Sequence, residues 1–144
     1  MQKLMSQSLA GKNVNEKIDI INKKNIKKFK ETEKKFQEDE KILIGQRNIL
    51  EKKVFDDKVK AFREKAAIYQ KNKSDTVIKM NNQRLNAAKK IIDIVNPILA
   101  EYSTENSISF IMQKKYIIIG KTELDITDDI IKKLNLKVKK INLD

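Results

Sequence analysis

The chain has 144 residues and a formal net charge of +12, with 40% hydrophobic, 36% charged and only 6% aromatic residues. That is one domain's length, too polar for a compact globule with a thick core and too rich in Ile and Leu for a disordered chain. With no cysteine and no histidine, it lacks the inventory for zinc sites, disulfides, thiol nucleophiles or Ser-His and Cys-His catalysis.

An elongated helical protein fits this middle ground, because narrow apolar seams suffice when helices share them. Cysteine absence suits an oxidising compartment as well as a reducing one. No run of 18 apolar residues is present, and the first 11 residues hold no apolar stretch of signal-peptide length. Taken alone, that favours a cytoplasmic protein or a mature or truncated form. The charge is uneven: residues 1–50 carry 12 basic and 7 acidic side chains, residues 51–100 carry 12 and 6, and residues 101–144 carry 8 and 7. A basic surface suits acidic partners, although lysine-rich helix faces are also simply solvated.

The first predicted helix runs from near Val14 to about Asn48, with Asn15 as N-cap. Phe29, Phe36, Leu43 and Leu50 recur every seven residues, as one coiled-coil seam position does. Intervening seam positions such as Thr32 and Asp39 are polar, so the stripe is thin. Gly45 and Asn48 weaken the helix, which places a reversal between Asn48 and Asp56.

The second predicted helix spans about Phe55 to Ser103. Steps of four and three from Phe55 land on Val59, Phe62, Ala66, Tyr69, Lys73, Thr76, Met80, Gln83, Ala87, Lys90 and Ile94. The polar members fall in the second half, which predicts a loosely zipped pair. Pro97, the sole proline, predicts a kink or a new short helix, with Asn96 pushed out of α geometry.

The last third changes character. Ile108–Met112 and Tyr116–Ile119 are β-branched and aromatic runs joined by Gln113-Lys-Lys115, which predicts a β-hairpin. Tyr116–Ile119 is apolar without alternation, so it is expected to be covered on both faces. Thr127 reads as the N-cap of a final helix, with Asp128 and Asp129 in its first turn and an Ile126–Ile131 staple. Two strands are too few for a stable sheet. The body is therefore expected to borrow strands from elsewhere in the chain or from other subunits, so oligomerisation follows. The fold class expected is α+β: a long antiparallel helical hairpin attached to a small β-body with a short C-terminal helix.

Candidate chemistry is sparse. Gly11-Lys12 matches the end of a phosphate loop, without its upstream glycine or a preceding strand. Glu38-Asp-Glu40 and Asp56-Asp57 read as solvated helix faces. Asp125, Asp128 and Asp129 could bind a cation, but helix capping explains them. No cofactor is expected. Lys23-Lys-Asn-Ile-Lys-Lys28 and Lys89-Lys90 could contact phosphates, yet no aromatics are interleaved for stacking, which argues against a nucleic-acid partner.

Five stretches carry a family likeness. They are Met1-Gln-Lys3 with Ser8-Leu-Ala-Gly-Lys12, then Gln46-Arg-Asn-Ile-Leu50, then Phe55-Asp-Asp-Lys58 with Phe62. Ile98-Leu-Ala-Glu-Tyr102 leads into Glu105-Asn106, and Leu124-Asp-Ile-Thr-Asp-Asp-Ile-Ile131 precedes Leu134-Asn135. In this order they resemble the Skp/OmpH family of periplasmic chaperones over essentially the whole length. The resemblance implies an ATP-independent, non-enzymatic holdase of Gram-negative bacteria. A homotrimer would hold unfolded outer-membrane β-barrel proteins between helical arms.

In that picture residues 1–13 plus 104–144 form the trimerisation body, and residues 14–103 form the arm with its tip near 48–56. Ile108, Phe110, Met112, Tyr116, Ile117, Ile118, Ile119 and Ile126 would carry assembly. Lys27, Lys28, Lys58, Lys60, Lys71 and Lys79 would attract clients diffusely, and exposed Phe and Ile near the tip would add apolar contact. An anionic lipid surface is a further candidate partner. The family's signal peptide and first short strand precede the position matching Met1, so the expectation is a removed signal or a late start. The alternative reading is a basic coiled-coil protein that binds nucleic acid or serves a structural role.

Overall fold

The computed structural model describes residues 2–143; Met1, where the family likeness starts, and Asp144, where the expected body ends, lie outside them. Four α-helices follow in order: α1 (Gln2–Gln7), α2 (Leu9–Gly45), α3 (Lys52–Glu105) and α4 (Thr127–Lys137). Short 3₁₀ turns stand at Lys114–Tyr116 and Thr122–Leu124. The chain divides into two units, residues 1–19 with 82–144, and residues 20–81.

The first unit holds the core. Ala10, Val14 and Ile18 of α2 and Ala87, Ile91, Val95 and Ile98 of α3 recur at helical spacing and are buried. Ile130, Ile131 and Leu134 of α4, Leu4 of α1 and Ile141 of the tail complete it. Ile91 and Leu134 are fully enclosed, and truncating either to alanine costs about 2–5 kcal/mol.

α2 starts at Leu9, ahead of the expected Val14, because Ser8 provides the cap. Its side-chain oxygen accepts the Gly11 N–H at 3.0 Å and its hydroxyl donates to the Leu4 carbonyl at 2.6 Å. That reversal folds α1 back onto α2, and Asn15, expected to cap, lies inside the helix and donates to the Met5 carbonyl. Gly11 permits the approach: a Cβ there would collide with the backbone carbonyls of Met5 and Leu4. The glycine of Gly11-Lys12 therefore serves helix packing.

Pro97 sits within a continuous α3, and Asn96 keeps helical geometry. The proline removes one donor to the Asp93 carbonyl, but both residues are exposed, so water can fill that place. α3 ends in a Schellman turn: Ser107 takes φ 52°, and the Ile108 N–H reaches the Ser103 carbonyl at 2.9 Å.

The expected α+β architecture is not what forms. Among the described residues there is no β-strand, and the fold is helical. Ile108–Met112 and Tyr116–Ile119 form no ladder, and a 3₁₀ turn at Lys114–Tyr116 takes up the first residue of the second run. Expected to be covered on both faces, that run instead exposes Ile118 to 99% and Ile119 to 92%. High β propensity expresses fit to a pleated, half-covered surface, and among the described residues none covers Phe110 to Met112 or Tyr116 to Ile119.

α4 forms where the final helix was expected, with its cap shifted by one residue from Thr127 to Ile126. Ile126 holds the cap position without a side-chain bond, and Asp125 Oδ1 accepts both the Thr127 N–H and the Thr127 hydroxyl. Asp128 pairs with Lys3, while Asp129 accepts from Lys132 and from the Tyr102 hydroxyl. These carboxylates thus serve helix start and packing, and no metal-holding acidic cluster occurs among the described residues.

Candidate functional site

Residues 20–81 form an antiparallel pair of helical segments, closed by the turn at Gln46–Leu50. The heptad stripe of α2 meets the stripe predicted from Phe55 in α3. Phe36 lies edge-on to Phe62 with centroids 5.7 Å apart and packs against Tyr69 at 5.3 Å; Phe29 meets Tyr69 at 6.2 Å. Phe55, Val59, Phe62, Ala66, Tyr69, Lys73, Thr76 and Met80 are each half-buried while their neighbours on α3 are exposed. No side chain between residues 20 and 81 is fully buried. Two helices alone cannot enclose a seam, so the aromatic ladder stays accessible from both flanks.

Lys73, an apparent flaw in the apolar stripe, has a partner that sequence spacing did not reveal. Glu33 Oε1 accepts from Lys73 Nζ at 2.6 Å and from the Tyr69 hydroxyl at 2.9 Å, and the ammonium stands 5.7 Å from the Phe29 ring centre. The hydrogen bond from Lys73, then that from Tyr69, lowers the Glu33 carboxyl. Its bond to Glu33 raises Lys73. Burial, then the bond to Glu33, raises the Tyr69 phenol. One step along, Asn25 donates to the Met80 sulfur at 3.3 Å. The sequence signal was available: Glu33 stands one position after Thr32, on the flank of the same seam.

Near the turn the seam opens into two clefts that share Leu43 and Phe62. One, of about 360 Å³, is lined by Glu40, Ile44, Phe55, Val59 and Arg63 besides them. The other, of about 270 Å³, is lined by Asp39, Ile42, Gln46, Lys58, Ala61 and Lys65. Ile42, Ile44 and Ile49 are exposed around them, whereas Phe55 and Phe62 are half-buried. The apolar exposure near the turn is therefore aliphatic, these isoleucines with Val54, and Phe55 and Phe62 line the cleft walls.

The six lysines singled out in the sequence all lie in this unit and all are exposed. Lys58 alone is tied near the turn, donating to Gln46 Oε1 at 2.8 Å. Residues 20–81 carry 18 basic and 10 acidic side chains, so most of the chain's positive charge resides here.

The eight residues expected to carry assembly lie in the other unit. Phe110, Met112, Tyr116, Ile117, Ile118 and Ile119 are exposed, and Ile108 and Ile126 are half-buried. Lys114, between the two apolar runs, donates to Asp125 Oδ2 at 2.8 Å. That bond, then those from Thr127, holds the Asp125 carboxyl well below the usual carboxylate range.

These features define a protein of the long helical-hairpin class. The chain belongs to the OmpH-like outer membrane protein family, whose model matches residues 1–134. Its fold is similar to the crystal structure of a candidate OmpH-like outer membrane chaperone from Caulobacter crescentus CB15. The TM-score is 0.89 at 15% identity, covering 99% of this chain and 85% of that one. No curated protein matches the chain.

Proposed function

We propose that this chain is an ATP-independent holdase that binds unfolded outer-membrane proteins and keeps them from aggregating in the periplasm of a Gram-negative bacterium. The observation that carries this reading is the surface of residues 20–81, where exposed lysines surround seam clefts with apolar walls that no part of that unit covers. Such a surface offers an unfolded chain many weak contacts, each small, whose sum is large when several act together. Membership of the OmpH-like family supports the same reading.

Self-association supplies the multivalency. The uncovered apolar residues Phe110 to Met112 and Tyr116 to Ile119 make a large exposed apolar surface. We assign it, with Ile108 and Ile126, as the surface through which three copies meet. Lys27, Lys28, Lys58, Lys60, Lys71 and Lys79 then provide client attraction, and the same charge suits an anionic lipid surface.

The test is turbidity after a urea-unfolded outer-membrane barrel protein is diluted into buffer with the purified chain and no nucleotide. The reading predicts suppressed turbidity at low salt and weaker suppression at high salt. Aggregation as fast as in buffer alone contradicts it.

A further inference from the structure

The two flanks of the hairpin seam in residues 20–81 are chemically different. In an antiparallel helix pair, the residues immediately before one set of seam positions share a flank, and those immediately after the other set share the opposite flank. Before Phe29, Phe36 and Leu43 of α2 stand Lys28, Lys35 and Ile42. Before Val59, Ala66, Lys73 and Met80 stand Lys58, Lys65, Asn72 and Lys79. Neither set contains an acid. The smaller cleft confirms the geometry, because Ile42 of α2 and Lys58 and Lys65 of α3 line it together, with Asp39 as the one acid among its lining residues.

The other flank is balanced. Glu33 and Glu40 of α2, with Arg47 of the turn, stand beside Asp56, Arg63 and Gln70 of α3, and Glu40 and Arg63 both line the larger cleft. Charge on that side is largely self-compensated within the hairpin.

We infer that the lysine-isoleucine flank, from Lys28 and Lys79 to Ile42 and Lys58, is the docking face for extended segments of acidic, apolar-rich unfolded polypeptide. This rests on the holdase reading and adds to it a face and a client chemistry. Successive lysines seven residues apart lie roughly 10 Å apart along the helix, which an extended chain spans in about three residues. Client carboxylates at that spacing reach successive lysines while an intervening apolar side chain enters the cleft over Leu43 and Phe62. A nucleic acid fits this face less well. The interleaved groups are aliphatic, and Phe29, Phe36, Phe62 and Tyr69 are half-buried and packed on one another, so they are not laid out for base stacking.

The test compares two full-length variants with the same loss of charge. One replaces Lys28, Lys35, Lys58, Lys65 and Lys79 with glutamine; the other replaces Lys23, Lys30, Lys34, Lys41 and Lys53, which are exposed on the outer faces. The probe is reduced, carboxymethylated albumin, an acidic chain that cannot refold. Helix content of each variant is checked by circular dichroism. The flank variant is expected to bind about tenfold or more weakly and the outer-face variant within about threefold of wild type, since exposed charges act in small increments.

A second measurement uses the absence of native cysteine. An environment-sensitive dye on Ile42→Cys should shift to the blue when the probe binds, and the same dye on Ile44→Cys, at the opposite cleft, should not. Equal losses in the two variants, or equal dye shifts, overturn the assignment of the flank and leave the holdase reading standing. Loss of duplex DNA binding in the flank variant with unchanged albumin binding also overturns it. If wild type binds no probe at all, both the flank and the holdase reading fail.

Discussion

The side-chain oxygen of Asn135 accepts the backbone N–H of Leu9 at 2.7 Å. An amide on α4 therefore closes the first turn of α2, 126 residues away in sequence, and Ser8 supplies the Gly11 N–H with its acceptor. Helix starts leave unpaired donors that must be met from outside the helix. Asn135→Ala should lower stability by about 1 kcal/mol, while Asn135→Asp, which keeps an acceptor oxygen, should stay near wild type. Urea midpoints of the three chains check this; equal losses for both variants would place the effect in packing.

Two glycines have opposite expectations. Gly11→Ala forces a methyl group onto the Met5 and Leu4 carbonyls and should cost about 1–3 kcal/mol. Gly45→Ala places its methyl where nothing lies within 4 Å, and should stabilise by about 0.5–1 kcal/mol through helix propensity. Thermal melts of the pair should shift in opposite directions.

Ser107 occupies the left-handed position of the turn after α3, a conformation that costs a residue with a side chain about 1–2 kcal/mol. Glycine adopts it freely at a smaller entropic cost. Ser107→Gly should therefore raise stability by about 0.5–1 kcal/mol, and Ser107→Val should lower it. A melting temperature unchanged by either substitution would contradict the turn described.

The Glu33–Lys73–Tyr69 cluster gives residues 20–81 a pH dependence. Glu33 is lowered from its ordinary 4.5, so its contribution is present above that value and is lost as pH falls through the depressed one. Lys73 is raised from its ordinary 10.5, so its contribution is full below that value and is lost as pH rises through the elevated one. Hydrogen exchange of peptides covering Phe29–Phe36 and Phe62–Lys73 should quicken, beyond the intrinsic pH effect, on acidification below about pH 4. Glu33→Gln should remove that acid step.

What could be read in the sequence, and what could not, divides on local against tertiary causes. The stripe from Phe55 to Ile94 was legible because a helix seam is a matter of spacing, and each of its members is half-buried or buried. The start of α4 was legible because first-turn acids are a local signal. Ser8 and Asn135 were not, because the cap of α2 depends on where α1 and α4 come to rest. Lys73 breaks the apolar spacing of its own helix, and its partner Glu33 lies across the seam. Ile108–Ile119 misled, since its β-branched composition states what the segment prefers to be covered by, and no covering strand forms among the described residues. Of the candidate site, the lysines were legible as composition, whereas the gathering of Lys28, Lys58 and Lys79 on one flank required the pairing of α2 with α3.

The most direct test of the central claim is the mass of the complex that forms when an unfolded outer-membrane barrel protein is diluted into an excess of this chain. Size-exclusion chromatography with light scattering reads it. The account predicts one soluble peak with the mass of three chains and one client, dissociating as salt is raised. A client that pellets while the chain elutes unchanged as a monomer would contradict both the assembly and the holding of unfolded protein.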